Sequence, residues 1–549
     1  MAEKLMRIQG MTCAHCEKTV AEALTDAGAL DVVADWRAGQ ARFNAAEVRD
    51  EQLSAAVEEA GYRVLSIEAA RRAASGLNPV VGDRSHDYDL VVLGSGSAAF
   101  AAAITATEAR ARVALMESNV VGGTCVNVGC VPSKAMLAPA EAYFRAGHHP
   151  FAGVRTSADG FELGVFVDSK AELVDRLRAE KYLDLAQEYG FTICRGRAEF
   201  ADAETIVCDG ERVSAGSYLI ATGASPSVPP IPGLQETGYL TSTTALELRE
   251  PPRELVVIGA NAVGLEMGQL FMRLGARVTF LDVAPRITPL EEQEVSETMQ
   301  AILEQEGATV VTNARITSVT GSGGDRRVAF QAGGAERSVS ADQVLVATGR
   351  RPNTAGLGLD KAGVAITDGG AVGVDDSLRT TNPRVWAAGD VTGHPQFVYV
   401  AAHEGNLAAR NAITGTDLKV DFRALPRVIF TSPTVAAVGI TDEQASQQGI
   451  ACECRVLPMS AVPRALVNRD MRGFVKIVAE AQSGRIIGAT VVADAAGEVI
   501  QAAIYAVQFG LTTEQVASTW APYLTFAEGF KLAAQTFTRD VSKLSCCAA

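Results

Sequence analysis

Positive charge is what the 549-residue chain has least of in relative terms: 49 Lys and Arg stand against 64 Asp and Glu, a formal net charge of −15. That balance makes a polyanion such as nucleic acid an unfavourable main partner. No apolar stretch of about 18 residues is free of charge, so nothing reads as a bilayer-crossing helix. The opening MAEKLMRIQG holds no long apolar run and does not read as a secretory signal, which sets a cytoplasmic expectation. Aromatics are sparse at 6%, and the last of only 6 histidines is His403. Ten cysteines are too few at this length for a disulfide scaffold. What remains is 48% hydrophobic and 21% charged, the balance of a globular α/β protein with room for about three or four domains.

The placement of the cysteines is more informative than their number. Six fall in tight pairs: Cys13/Cys16, Cys125/Cys130 and Cys546/Cys547. Cys452 and Cys454 alternate in a strand-like segment, Cys194 and Cys208 stand alone, and these four read as structural thiols. Cys546 and Cys547 are adjacent, so their Cα atoms lie about 3.8 Å apart, below the roughly 4.4 Å floor of a relaxed disulfide. They suit a soft cation shared between thiolates better than a stored S–S bond.

Residues 1–68 alternate as βαββαβ, the ferredoxin-like split unit, with strand patterns at LMRIQG, ALDVVADW, GQARFNA and YRVLSIE. Cys13 falls in the loop of GMTCAHC and Cys16 at a helix start, whose dipole favours thiolate; both are candidate metal ligands. His15 between them reads as a loop side chain. Without a second CxxC the pattern does not support four-cysteine zinc. The module resembles heavy-metal-associated domains. Residues 69–86, rich in Ala, Arg and Gly without apolar period, read as a linker.

From Asp87 a strand, glycine turn, helix and strand occur twice. The distance from the first turn glycine to the terminal acid is 23 residues in both, Gly94 to Glu117 and Gly259 to Asp282. Two such copies predict two dinucleotide sites, with pyrophosphate on a helix N-terminus and the acid on a ribose hydroxyl. Gly94, Gly96 and the small Ala99 serve the first. Gly259 and Gly264 serve the second, where Asn261 replaces the middle glycine and is expected to supply a left-handed turn. Asp282 favours a free 2′-hydroxyl and Arg286 can attract a 2′-phosphate, so NADPH and NADH both stay open.

Between the turns stands GGTCVNVGCVPSK, and with ATGA (221–224), ATGRRPN (347–353) and AAGD (387–390) the chain from 87 to 545 resembles the class I pyridine nucleotide-disulfide oxidoreductases. The resemblance implies two Rossmann-like domains and an α+β C-terminal dimerisation domain. It divides the chain into FAD-binding residues 87–232 and 348–420, NAD(P)H-binding residues 233–347, and dimerisation residues 421–549 with the Cys-Cys tail. It implies a redox pair in which Cys130 lies against the flavin and Cys125 exchanges with substrate. Lys134 and Glu266 match an ion pair beside the flavin, and Asp390 matches the flavin ribityl ligand. Gly123, Thr124, Ala221, Thr222, Gly223, Gly349 and Val398 are cofactor-lining by the same match, and Tyr182 and Tyr523 are expected to flank the substrate near the thiols. Read without the resemblance, Tyr182 is an ordinary helix-surface aromatic.

In relatives that act on disulfides, a C-terminal histidine precedes a glutamate by five positions. Here PYLTFAEG puts Tyr523 at that place and Glu528 five on. A phenol of pKa near 10 is a poor proton shuttle at neutral pH, which argues against dithiol–disulfide exchange. The histidine-free site, the metal module and the tail resemble the mercury-reducing branch of the family. The expected reaction is NAD(P)H-dependent reduction of Hg(II), held by Cys13, Cys16, Cys125, Cys130, Cys546 and Cys547. A homodimer is expected, each tail completing the partner's site. Two alternatives remain: a disulfide reductase with a C-terminal thiol relay, which leaves GMTCAHC unexplained, and a thiol-bearing metal chaperone, which needs no hydride path.

Overall fold

The computed structural model describes residues 3–11, 14–35, 39–45, 48–69 and 85–543. Most of the expected linker, and Cys13, Cys546 and Cys547, lie outside the described residues. The chain divides into two compact units, Met1–Pro79 and Val80–Ala549.

The first unit has the expected βαββαβ order. Strands Glu3–Gln9, Leu30–Asp35, Gln40–Asn44 and Arg63–Ala69 form an antiparallel sheet in spatial order second, third, first, fourth. Helices Ala14–Asp26 and Asp50–Glu59 cover it because Val20/Leu24 and Leu53/Val57 recur four residues apart and bury one stripe each against Met6, Ile8 and Phe43. Cys16, in the first turn of its helix, is buried in the same core at 8% exposure.

In the second unit, strands Tyr88–Leu93 and Val113–Glu117 pair in parallel beside Glu211–Ile220, the first dinucleotide fold. Its helix, Ser97–Glu108, is alanine-rich on the buried side, so helix Val398–Thr414 packs against it closely: a Cβ on Gly405 would sit 2.1 Å from the Ala98 carbonyl oxygen. The second fold repeats the plan with parallel strands Glu254–Ile258, Arg277–Leu281, Thr309–Val311 and Gln343–Val346. Both sheets read as near-continuous Val/Ile/Leu runs, as parallel strands buried on two faces must. The C-terminal part is a five-stranded antiparallel sheet, Pro426–Ile429, Thr434–Gly439, Ile486–Ala493, Phe474–Glu480 and Cys452–Pro458 in spatial order. Helices Ala496–Phe509 and Glu528–Gln535 pack on it. Among the described residues no helix is long and apolar enough to cross a membrane.

Candidate active site

A short helix and a long one meet at the cysteine pair. Cys125 sits in Gly123–Asn127 and Cys130 opens Cys130–Gly147, whose N-cap, Gly129, offers no capping side chain. The partial positive charge of that helix end therefore faces the Cys130 sulfur. Both thiols are free. The Cys125 thiol hydrogen-bonds the Cys130 sulfur, and this, together with the Lys134 charge and against the cost of burial, brings the Cys130 pKa down to about 7. Cys125 moves the opposite way, because it supplies the proton of that bond and is itself buried. Near neutral pH ionisation therefore begins at Cys130, while Cys125 remains a thiol.

Lys134 lies one turn along the same helix. Its Nζ donates to Glu266 Oε2 at 2.7 Å and stands 4.3 Å from the centre of the Phe430 ring. Glu266, 7% exposed on helix Ala262–Arg273, is fixed in turn by the Phe430 N–H, which donates to Oε1 at 3.0 Å. One cation is thus tied to both dinucleotide folds and to the C-terminal part.

Tyr182 is not the surface aromatic that a regular helix would make it. It lies in a π-helical segment, Ala179–Leu183, inserted between α-helices, a local widening that shifts side-chain direction. Its ring packs edge-on against Phe100 at 4.7 Å. Burial raises its phenol pKa, the charge of Cys125 adds to this, and a hydrogen bond with Ser97 opposes it, so the hydroxyl stays protonated within electrostatic reach of the thiols.

The first dinucleotide turn fits a flavin nucleotide. Gly94 has φ +112°, and a Cβ there would meet the Ala221 carbonyl oxygen at 2.4 Å; one on Gly123 would meet Gly96 Cα at 2.5 Å. The space is backbone against backbone, as a close-approaching pyrophosphate requires. Gly96 caps helix Ser97–Glu108 without a side chain, leaving its first N–H groups for a phosphate. Ala99 is fully buried, and Glu117 accepts from Ser95 Oγ at 2.5 Å and Asn119 N–H at 2.7 Å, with lone pairs left for a ribose. Thr222 and Asn353 exchange hydrogen bonds that clamp the Ala221–Gly223 turn to the 347–353 segment holding Gly349. Asp390 begins a short 3₁₀ turn, its carboxyl pKa raised by burial, and Val398 begins the helix behind.

The second turn keeps Gly259 at φ +101°, while a Cβ on Gly264 would sit 1.9 Å from the Gly259 carbonyl oxygen. Asn261 corrects an expectation: it is extended (φ −105°, ψ −170°), not left-handed, and its Oδ1 accepts the Ala262 N–H at 2.9 Å. Gly259 already supplies the left-handed residue, so the middle position needs only a helix cap, which Asn provides. Asp282 accepts from the Ala260 and Ala284 N–H groups at 2.6 and 2.8 Å. Arg286 turns inward, its Nη1 donating to the Glu291 carbonyl and Ser296 Oγ at 2.8 Å each.

Tyr523 stands 50% exposed on the C-terminal part. Glu528 opens the final long helix at 5% exposure, its Oε2 without a hydrogen-bond partner among the described residues. Sequence reasoning missed Phe430 and Arg350. Arg350 pairs with Asp390 at 3.7 Å, donates to the Ala224 carbonyl, and lies 3.4 Å from Thr124 Oγ1. It belonged to the ATGRRPN motif already singled out, whereas nothing in the sequence ties Phe430 to a lysine nearly three hundred residues earlier. Also missed was Glu404, fully buried, which accepts from the Gly389 N–H and His394 Nδ1 and so holds the turn leading to Asp390.

Residues 88–405 match the pyridine nucleotide-disulphide oxidoreductase family, 425–534 its dimerisation domain, and 5–63 the heavy-metal-associated domain. A mercuric reductase of Staphylococcus aureus is 48% identical over 98% of this chain and 98% of its own length. One from Streptomyces lividans is 50% identical over 84% of this chain and 98% of its own length. Among solved structures, the flavoprotein disulfide reductase RclA of Escherichia coli, in a Cu(II) complex, covers 82% of this chain and 99% of its own, with a TM-score of 0.73 and 28% identity. LpdA of Mycobacterium tuberculosis covers 82% of this chain and 100% of its own, with a TM-score of 0.74 and 28% identity.

Proposed function

The chain belongs to the pyridine nucleotide-disulphide oxidoreductases, and we propose that within them it is a mercuric ion reductase: Hg(II) and NAD(P)H give Hg(0), NAD(P)⁺ and a proton. It uses FAD, takes Hg(II) as substrate and forms a homodimer through its dimerisation domain. The observation that carries the reading is the half-ionised Cys125/Cys130 pair flanked by the Tyr182 phenol, in a chain with Tyr523 and no histidine after His403.

When bound, FAD would supply the two-electron path between nicotinamide and metal. Gly94, Gly96, Gly123, Glu117, Thr222 and Asp390 would hold it, and Gly259, Gly264 and Asp282 would hold the nicotinamide. Thiol chemistry does the rest. Cys125 meets a mercuric bis-thiolate first, and its proton passes to the departing thiolate as one Hg–S bond replaces another. The Cys130 thiolate closes the second bond and releases the second carrier thiolate. Each exchange forms a bond as one breaks, so no bare ion is released. Lys134, held by Glu266, keeps Cys130 ionised for this role. Tyr182 and Tyr523 orient the ion with their hydroxyls, that of Tyr182 held protonated by burial. Cys13/Cys16 and Cys546/Cys547 collect Hg(II), the tail delivering it to the other subunit's pair, in the cytoplasm where nicotinamide is kept reduced.

The test is anaerobic NADPH and NADH oxidation by the holoenzyme with thiol-bound Hg(II), oxidised thioredoxin or lipoamide as the sole acceptor. Oxidation with Hg(II) alone supports the proposal. Oxidation only with the disulfides gives the chain to the relay alternative, and none at all to the chaperone alternative.

A further inference from the structure

Cys452 and Cys454, expected to be ordinary structural thiols, lie on one face of strand Cys452–Pro458, which forms an outer edge of the C-terminal sheet. Their sulfurs are 3.9 Å apart and both side chains are half-buried. Two residues along a strand span about 6.6 Å with nearly parallel Cα–Cβ bonds. That Cα spacing is near the upper end of the range disulfides span, but parallel Cα–Cβ bonds leave the Cβ atoms about as far apart, well beyond the roughly 3.5–4.5 Å a disulfide needs. The strand geometry therefore opposes an S–S bond, and both thiols are free. An ion between the sulfurs has no such difficulty. Two metal–thiolate bonds of about 2.3 Å span about 4.6 Å when straight and less when bent, which the sulfurs meet by a small side-chain rotation.

We propose that Cys452 and Cys454 form a further binding site for a two-coordinate thiophilic cation, of which Hg(II) is the case tested. Soft thiolates select such ions, and no group of three or more His, Cys, Asp or Glu side chains placed to hold a metal occurs among the described residues, so a four-coordinate zinc cage is not offered. Burial, and then the adjacent Cys452, push the Cys454 thiol up to about 12, so it stays protonated and slow toward oxidants and alkylating agents at neutral pH. Asp442 and Lys476 are the other charged groups that act on it, with opposite sign. Loading needs no prior ionisation. A mercuric bis-thiolate exchanges both carriers: two Hg–S bonds break, two form, and the Cys452 and Cys454 protons leave on the departing thiols, with no change of oxidation state. The pair sits on a different domain from Cys125/Cys130, and the site stands whether or not the chain reduces mercury.

The test uses the full-length holoenzyme without nicotinamide, so that nothing is reduced. Wild type, Cys452→Ser, Cys454→Ser and the double variant are equilibrated with mercuric chloride in free cysteine, desalted, and assayed for mercury per subunit. Each variant is expected to retain about one Hg(II) fewer than wild type, and none to retain added zinc at this pair. In parallel, mass-spectrometric mapping of wild type after prolonged N-ethylmaleimide treatment should show both cysteines modified without mercury and protected with it. This arm decides alone if a variant does not fold. Equal mercury in wild type and the double variant, or modification unchanged by the metal, overturns the proposal.

Discussion

Cys130 is poised by its neighbours more than by its own environment. Burial alone would raise its pKa, and the value near 7 results because the Cys125 hydrogen bond and the Lys134 charge outweigh it. Removing the larger influence should do more: in the reduced enzyme, Cys125→Ala should move the pH midpoint of Cys130 alkylation upward further than Lys134→Met does. A midpoint unchanged in both would refute this ordering. Tyr182→Phe and Tyr523→Phe should each lower turnover with Hg(II) about tenfold or more while flavin content is unchanged, read from absorbance and mercury-dependent NADPH oxidation. At this scale the sequence was legible wherever chemistry sat in short spacing: Cys125/Cys130, Gly94, Glu117 and Asp390 all lie in local motifs. It was silent where the partner is distant in the chain. Phe430 under Lys134 and Glu404 behind Gly389 are created by packing alone. Asn261 misled because the residue type allows two backbone conformations, and only the neighbouring Gly259 decides which is needed.

The glycine turns are the elements on which cofactor binding depends, and they fail separately. Gly94→Ala puts a Cβ at φ +112° against a backbone oxygen, so that variant should purify without flavin colour. Gly264→Ala closes the second turn instead, so it should purify yellow and be reduced by dithionite yet hardly by NADPH; equal loss of flavin in both would contradict two separate sites. The two repeats were readable because a strand, turn, helix and acid recur at one spacing. The π-helical turn at 179–183 was not, since its sequence AEKYL is that of any helix. A second element-level feature is the buried Lys476 on the C-terminal sheet. Its Nζ donates to Glu292 at 2.9 Å, Glu294 at 2.9 Å and Asp442 at 2.6 Å, joining the sheet to the second dinucleotide fold. Lys476→Met leaves those carboxylates unpaired, which should cost about 3 kcal/mol, the lower end for a broken buried pair because Glu294 and Asp442 are partly exposed. Burial already raises the Glu292 pKa to about 7. Without the lysine this carboxyl titrates higher still, so the deficit in melting temperature should be largest at alkaline pH and shrink as pH falls to about 7, where Glu292 binds its proton in both proteins. A pH-independent deficit would rule this out.

For the whole molecule, the βαββαβ module and the two dinucleotide folds were visible in periodicity and spacing, while the flavin core and the C-terminal domain were identified through the family resemblance. The proposed completion of the site by a second copy came from the family resemblance alone, since an interface leaves little trace in one chain's pattern. The Cys546/Cys547 tail belongs to that level: deleting 545–549 should leave flavin content and NADPH reduction of the flavin intact while lowering mercury turnover at low Hg(II). The central claim is that two electrons from one nicotinamide reach one thiol-held mercuric ion. It is tested most directly by sealing the enzyme under nitrogen with excess thiol, limiting NADPH and Hg(II), and measuring purged mercury vapour against NADPH consumed. Equal moles are predicted, falling to background in Cys125→Ala. NADPH consumed without vapour, or vapour undiminished in that variant, would contradict it.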